Sequence, residues 1–125
     1  MRSEKEKPRD IKEWTFGFVL EIVRFAQHLD ERPGVPRTLG RQLLRSGTSV
    51  GANVEEAQAG QSRADFSSKY AIALKEARET VYWLRLLSES DVLPKDDCAD
   101  LLRKADEIAR IIGSIIVKTK RNHDA

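Results

Sequence analysis

The residues of this chain best suited to chemistry are three arginines, Arg37, Arg41 and Arg45, which recur at every fourth position. On a helix this spacing places the three side chains on one face. No acidic residue interrupts the segment, so this face is basic. Such a row suits contacts to the phosphates of a nucleic acid, but no aromatic residue is interleaved for stacking on bases. The alternative interpretation is an ordinary solvated helix face.

Further cations lie near both ends of the chain. Lys118, Lys120 and Arg121 stand at the C-terminal end, and four more occupy the first nine residues: Arg2, Lys5, Lys7 and Arg9. The net charge of +2 does not by itself indicate nucleic-acid binding, and cations at a helix C-terminus also complement its dipole. An oligomer would change this balance, because a ring repeats each basic surface around its axis. Lys118, Lys120 and Arg121 therefore join the three arginines as candidate contacts to RNA or DNA.

Patterns typical of catalysis or metal binding are missing from the sequence. Neither histidine, His28 or His123, has a Cys, Asp or Glu at the spacing of a metal site. Ser46, Thr48 and Ser49 have no nearby base that could activate a hydroxyl. We therefore expect no enzymatic activity, no cofactor and no bound metal.

Four long helices account for most of the chain. Alternating spacings of four and three between apolar residues predict helices over residues 10–31, 36–59, 63–89 and 95–120. Asp10 and Ser62 are candidate N-caps, and turns containing Pro or Gly separate the segments. Short turns between long helices favour antiparallel neighbours. The predicted fold is an all-α, antiparallel, up-down-up-down four-helix bundle over residues 10–121, with a disordered arm at 1–9 and a tail at 122–125.

Polar and small residues interrupt the apolar seam of the second helix. Ser46 and Asn53 fall on this seam, where polar groups need hydrogen-bond partners. With Glu56 and Glu79 they are predicted to form a buried polar network that fixes the register of the helices. A ligand site at the same place is the alternative. Gly47, on the same helix, predicts close packing against a neighbouring helix, as does Gly51.

More apolar residues are present than one bundle needs. On the third helix a second stripe of Ile72, Trp83 and Leu86 lies beside the main seam. Tyr82 on the same helix and Trp14 on the first helix are further candidate interface residues. Extra apolar stripes rich in Trp and Tyr are typical of protein interfaces. They favour a homo-oligomer, although they could also cover a broad core.

Length and composition set further bounds. The 125 residues suit one domain, and the single cysteine, Cys98, excludes an internal disulfide and fits a reducing compartment. No apolar run approaches the roughly 20 residues of a membrane span, and the N-terminus has no apolar signal core. We therefore expect a cytoplasmic protein with no membrane partner.

Three runs of the sequence carry a family resemblance: L-L-R-S-G-T-S-V-G-A-N-V-E-E-A-Q from residue 43, S-R-A-D-F from residue 62 and I-A-L-K-E-A-R-E-T-V-Y-W-L from residue 72. They resemble the bacterial four-helix bundle proteins of the 23S rRNA intervening-sequence protein family. That family includes the accessory variability determinants of diversity-generating retroelements. The positions that match its pattern are Arg45, Ser46, Ser49, Asn53, Glu56, Phe66 and Glu79.

The resemblance implies a homopentameric ring and, for the retroelement members, a nucleic-acid binder that partners a reverse transcriptase. We therefore expect a non-enzymatic, oligomeric bundle that binds RNA or other nucleic acid weakly and without sequence specificity, as an accessory to a reverse transcriptase. The alternative is a protein–protein interaction scaffold with no nucleic-acid binding.

Overall fold

The computed structural model describes residues 10–60 and 62–124, and within these residues it contains four α-helices and no strand. The helices are α1 (Ile11–Asp30), α2 (Val35–Ala59), α3 (Arg63–Glu89) and α4 (Asp96–Asp124). The predicted all-α fold with four helices is therefore confirmed. The arm predicted at residues 1–9 lies outside the described residues.

Side-chain caps start two of the helices at the predicted residues. The carboxylate of Asp10 accepts a hydrogen bond from the backbone amide of Lys12 at 2.9 Å. The hydroxyl of Ser62 accepts one from the amide of Asp65 at 3.0 Å. Both bonds satisfy amides that have no partner within the helix, so both predicted N-caps are confirmed.

Glycines lie at both ends of α2, and α4 runs past its predicted end. Gly34 precedes α2 at a φ of 95°, in the left-handed region that residues with a Cβ rarely adopt. Gly60 ends α2 as predicted, but in an extended conformation with φ of −64°. α4 continues to Asp124, so residues 122–124 of the predicted tail belong to this helix.

Helices that are neighbours in the sequence are neighbours in space. α2 packs extensively against α1 and α3, and α3 packs extensively against α4. α1 and α4 meet over far fewer residues, and the backbones of α1 and α3 do not approach closely within the described part of the chain. The four helices therefore enclose one core, with α1 and α3 diagonally opposite.

The contacts between α1 and α2 run in opposite order along the two helices. Lys12, at the start of α1, pairs with Glu55 near the end of α2 at 3.8 Å. Leu29, at the end of α1, lies against Gly40 near the start of α2, so closely that a Cβ on Gly40 would be 2.9 Å from the Cβ of Leu29. The two helices therefore point in opposite directions.

The same relationship holds between α2 and α3. The amide of Gln58, near the end of α2, donates to the hydroxyl of Tyr70 in the first half of α3 at 2.7 Å. Ser46, in the middle of α2, contacts Thr80 further along α3. Since α2 runs opposite to both of its neighbours, α1 and α3 point the same way.

Large apolar side chains from all four helices form the core. Its largest fully buried apolar side chains are Ile22, Leu29, Leu43, Val50, Val54, Tyr70, Leu84, Leu87, Ile108 and Ile112. Ser46 and Thr80 are buried among them as hydrogen-bonded polar residues. Thr15 is also buried, but its hydroxyl has no hydrogen-bond partner among the described residues.

Close packing at the predicted glycines of α2 explains why these positions carry no side chain. A Cβ on Gly47 would lie 2.8 Å from Cγ2 of Ile22, a distance that Cβ atoms do not tolerate. A Cβ on Gly51 would lie 3.1 Å from Cγ2 of Val19, which is also tight. Both glycines therefore let α1 approach α2, as the sequence predicts.

Candidate functional site

Two of the three arginines in the basic row lie beside one acidic residue of α1. Nε of Arg37 donates to the backbone carbonyl of Asp30 at 2.8 Å and lies 3.8 Å from its carboxylate. Nε of Arg41 donates to the same carboxylate at 3.2 Å. Asp30 therefore compensates part of the positive charge on this half of α2.

The third arginine reaches across to α3. Arg45 pairs with Glu76 at 3.4 Å and donates a second hydrogen bond to Glu79, whose carboxylate also accepts from the indole nitrogen of Trp83 at 3.2 Å. Partial burial acts to raise the pKa of Glu79, but the hydrogen bonds from Arg45 and Trp83, together with the positive charges of Arg45 and Lys75, lower the pKa overall. The bond to Glu79 in turn raises the pKa of Arg45. Arg45 thus ties α2 to α3.

The four residues predicted to form one polar network bond in separate places. Ser46 is buried against Thr80, while Glu79 belongs to the Arg45 cluster. The amide of Asn53 donates to the backbone carbonyl of Ser49 at 2.9 Å and to its hydroxyl at 3.2 Å, within α2 itself. The predicted network is therefore a set of separate contacts, and the bonds of Asn53 stay within α2.

Glu56, the remaining member, lies at the surface. Its carboxylate is 2.9 Å from Nζ of Lys69 on α3, and this hydrogen bond raises the pKa of Lys69. An exposed pair of this kind contributes little to stability.

The cations at the end of α4 differ from those of α2. Lys118, Lys120 and Arg121 are all exposed, and no salt bridge joins them to a described residue. They stand at the C-terminal end of a helix, where the backbone carbonyls favour positive charge. Their charge is available to a polyanion, whereas that of Arg37, Arg41 and Arg45 is partly compensated.

The predicted interface residues on α3 remain at the surface to different extents. Tyr82 is 54% exposed and Ile72 is 38% exposed, while Trp83 and Leu86 are half-buried. The rings of Tyr82 and Trp83 meet edge to face with centroids 5.3 Å apart. Trp14 on α1 is also half-buried. Trp14 and Trp83 both pack against the core, so these two side chains are used at least partly within the monomer.

A second apolar surface lies on α1 and α2, outside the predicted set of interface residues. Phe16 is 59% exposed, and Leu20, Val23 and Leu44 are 39%, 38% and 37% exposed. The spacing of four and three between Phe16, Leu20 and Val23 was the available signal, because it marks a stripe separate from the seam of α1. Leu44 adds to it from α2 across a groove that also borders Val23.

No group of three or more His, Cys, Asp or Glu side chains that could hold a metal ion occurs in residues 10–60 and 62–124. His28 is exposed on α1, and Cys98 is buried, which raises the pKa of its thiol. Over the same residues, no helix has the length and hydropathy needed to cross a bilayer.

Comparison with known proteins places these features in a family. A search of curated proteins finds no match. A crystal structure of a protein of unknown function from the S23 ribosomal protein family of Bacteroides thetaiotaomicron VPI-5482 is similar, with 39% identity and a TM-score of 0.78. The match covers 86% of this chain and 98% of that one. The model of the 23S rRNA-intervening sequence protein family matches residues 9–114. The chain therefore belongs to the 23S rRNA-intervening sequence protein family.

Proposed function

We propose that this protein is a non-enzymatic, cytoplasmic homo-oligomer that binds RNA weakly and without sequence preference through the basic end of α4. In this proposal the four helices form an up-down-up-down bundle, and the assembly is the pentameric ring that the family resemblance implies. RNA is the nucleic acid of choice because the family is named for intervening sequences of 23S rRNA.

The observation that carries the proposal is the difference between the two basic surfaces. Lys118, Lys120 and Arg121 are exposed and form no salt bridge with a described residue. A phosphate can approach them without displacing a carboxylate. Arg37 and Arg41 would first have to exchange Asp30 for the phosphate, which makes binding there less favourable.

Assembly converts this small basic surface into a larger one. Each added subunit contributes another set of Lys118, Lys120 and Arg121. Once an RNA strand is bound to one subunit, its other phosphates are at a high effective concentration near the next subunit, so the whole strand binds more tightly. Contacts to phosphates carry no sequence information, so binding should be tolerant of sequence and sensitive to salt.

The test is a titration of a fluorescent single-stranded RNA at several salt concentrations. We expect Lys118→Ala/Lys120→Ala/Arg121→Ala to weaken binding by at least tenfold at low salt and to reduce the dependence of affinity on salt. The matched control is Arg85→Ala/Arg103→Ala/Arg110→Ala. It removes the same charge from residues that pair with acids three or four positions away on their own helices.

Equal losses in the two triple variants would show that only net charge matters, and the role assigned to the end of α4 would then be rejected. A wild-type protein that binds no RNA at low salt would reject nucleic-acid binding altogether.

The second candidate function is a protein-binding scaffold without nucleic-acid binding, favoured by the exposed Ile72 and Tyr82 on α3. The partner proposed in this case is a reverse transcriptase. A purified reverse transcriptase that binds the protein equally well before and after nuclease treatment would support the scaffold. Loss of the complex after nuclease treatment would instead favour the RNA-binding proposal.

A further inference from the structure

A groove runs along the outside of the bundle between α3 and α4. It contains a depression of about 320 Å³ that Leu74, Arg78 and Val81 line from α3, while Ala109 and Gly113 line it from α4. Leu74, Val81 and Ala109 are half-buried. The depression therefore has apolar walls, and a glycine forms part of its floor.

The two helices pass this groove in opposite directions. Ser88, later in α3, lines a second depression together with Ala99, which is earlier in α4. Arg78 therefore lies on the side of Gly113 that faces the start of α4. Lys120 lies on the other side, seven residues after Gly113 and about 10.5 Å further along the helix. Because seven residues are close to two turns, Lys120 is on the same face of α4 as Gly113.

The packing of the described chain does not account for Gly113. Glycine is a poorer helix former than alanine, and at Gly47 and Gly51 an added Cβ would lie 2.8 Å and 3.1 Å from side chains of α1. At Gly113 it would meet no atom within 4 Å beyond the adjoining backbone of its own helix. The missing side chain leaves the groove open to an outside partner. Gly17 on α1 is equally open, so the charges beside Gly113 must identify that partner.

Free positive charge lies on both sides of Gly113. Arg78 and Lys120 are exposed, and neither forms a salt bridge with a described residue. Arg110 also lines the depression, but it pairs with Asp106, so these two side chains add no net charge. A partner that matches both free cations carries negative charges repeated along a narrow chain, as the phosphates of a nucleic acid do.

The groove loses this character beyond Arg78. In the second depression Arg85 and Arg103 pair with acids of their own helices, and Asp96 offsets the charge of its neighbour Lys95. A polyanion is therefore favoured only over the stretch between Lys120 and Arg78.

We propose that the backbone of an unpaired RNA strand lies in the α3–α4 groove, from Lys120 past Gly113 to Arg78. This inference rests on the proposed RNA binding at the end of α4, and it adds the path of the strand and its single-stranded character. The axes of packed helices are only about 8–10 Å apart. A single strand can enter the groove between them with its sugars against Leu74, whereas a base-paired duplex can touch only the cations at the rim.

The experiment fills the groove without changing the charge. Gly113→Leu projects a side chain into the depression, and we expect it to weaken binding of a fluorescent single-stranded RNA by about threefold to tenfold at low salt. Binding of a duplex RNA of the same length should be unchanged. The matched control is Ala99→Leu, which adds bulk to the second depression and should leave both affinities as in the wild type.

A second variant tests the far end of the path. Arg78→Ala should weaken binding of the single strand and reduce the slope of log affinity against log salt by about 1. Its matched control is Arg24→Ala, which removes an exposed cation of α1 that has no salt bridge with a described residue. This control should leave the affinity nearly unchanged.

Two further measurements separate RNA binding from folding and assembly. Circular dichroism checks that every variant is helical, and Arg78→Ala, at an exposed position, keeps the path testable if Gly113→Leu fails to fold. Solution mass should be the same for Gly113→Leu and the wild type. A smaller mass would show that a second copy of the chain covers the groove, and the proposed path would be rejected.

The outcomes distinguish this path from the RNA binding on which it rests. A wild type that binds no RNA would reject both. If Lys118→Ala/Lys120→Ala/Arg121→Ala abolishes binding while Gly113→Leu and Arg78→Ala leave it unchanged, the path is rejected and the role of the end of α4 stands. Equal losses for Gly113→Leu and Ala99→Leu would also reject the path. Equal losses of single-stranded and duplex RNA in Gly113→Leu would reject its restriction to an unpaired strand.

Discussion

The hydroxyl oxygens of Ser46 and Thr80 lie 2.9 Å apart, and both side chains are completely buried between α2 and α3. The hydroxyl of Thr80 also lies 2.8 Å from the backbone carbonyl of Glu76, to which it donates. The hydroxyl of Ser46 also lies 3.3 Å from the backbone carbonyl of Leu43. Because the bond from Thr80 to Glu76 is the shorter of the two carbonyl contacts, we assign the proton between the hydroxyls to Ser46. This direction of donation satisfies both residues inside the core, and it sets the axial position of α2 against α3.

We expect Ser46→Ala and Thr80→Val each to reduce the free energy of unfolding by about 1 kcal/mol, the usual net value of a buried hydrogen bond. The double variant should cost less than the sum of the two, because no hydroxyl is then left without its partner. Urea unfolding of the four proteins completes the double-mutant cycle. Strictly additive losses would show that the two hydroxyls do not interact.

Thr15 offers the opposite case, a buried hydroxyl with no partner among the described residues. Replacing it by the similarly shaped valine removes a polar group that lost its hydration on folding. We expect Thr15→Val to raise the free energy of unfolding by about 1 kcal/mol. Thr15→Ser is the matched control, since it keeps the hydroxyl and loses a methyl group, and it should be destabilising by about 1 kcal/mol. A destabilising valine would indicate that the hydroxyl is bonded in solution.

Gly47 tests the close approach of α1 and α2. Alanine normally favours a helix by up to about 1 kcal/mol over glycine, but a Cβ at this position would lie 2.8 Å from Ile22. We therefore expect Gly47→Ala to lower the free energy of unfolding by about 1 to 3 kcal/mol. Gly113→Ala on α4 is the control, because its added Cβ would meet no atom within 4 Å beyond the adjoining backbone of its own helix, and it should be stabilising. Thermal unfolding should give a midpoint temperature below that of the wild type for Gly47→Ala and above it for Gly113→Ala.

The carboxylate of Glu79 predicts a dependence of stability on pH. Partial burial acts to raise its pKa, but hydrogen bonds from Arg45 and Trp83 and the charges of Arg45 and Lys75 together lower it in the folded protein. A lowered pKa adds stability above the unfolded value of about 4.3, and this contribution is lost as the pH falls through the folded value.

We expect Glu79→Gln to cost at most about 1 kcal/mol at neutral pH, as for a largely solvated pair, and progressively less below about pH 4. Urea unfolding between neutral and acidic pH measures this convergence. Glu31→Gln removes an exposed carboxylate without a salt bridge to a described residue and should show no comparable effect. A constant difference between wild type and Glu79→Gln at all pH values would contradict the role of its charge.

Local sequence patterns predicted most of the fold. The caps at Asp10 and Ser62 and the burial of Ser46 were all identified correctly, because each depends on residues a few positions apart. The end of α4 was placed too early, since no glycine or proline follows Lys120 to stop the helix.

The partners of Arg45 could not be predicted in the same way. Glu76 and Glu79 lie 31 and 34 residues further along the chain, and their contact depends on how far α2 and α3 are rotated about their axes. The partner of Asn53 could not be predicted either. A contact with another helix was expected, but its amide donates to a backbone carbonyl one turn earlier in its own helix. Repeat spacing identifies the face on which a residue lies, but not which of several polar side chains it meets across the interface.

The sparse junction between α1 and α4 has a consequence for how the chain folds. Almost all other contacts join helices that follow one another in the chain, so little entropy is lost in closing long loops, and such chains fold within microseconds to milliseconds. The junction itself includes the pair of Lys104 with Glu21 at 2.9 Å, and it joins the first helix of the chain to the last. We expect it to form last and to open first. Native-state hydrogen exchange should then give lower free energies of opening for the amides of α1 and α4 than for those of α2 and α3.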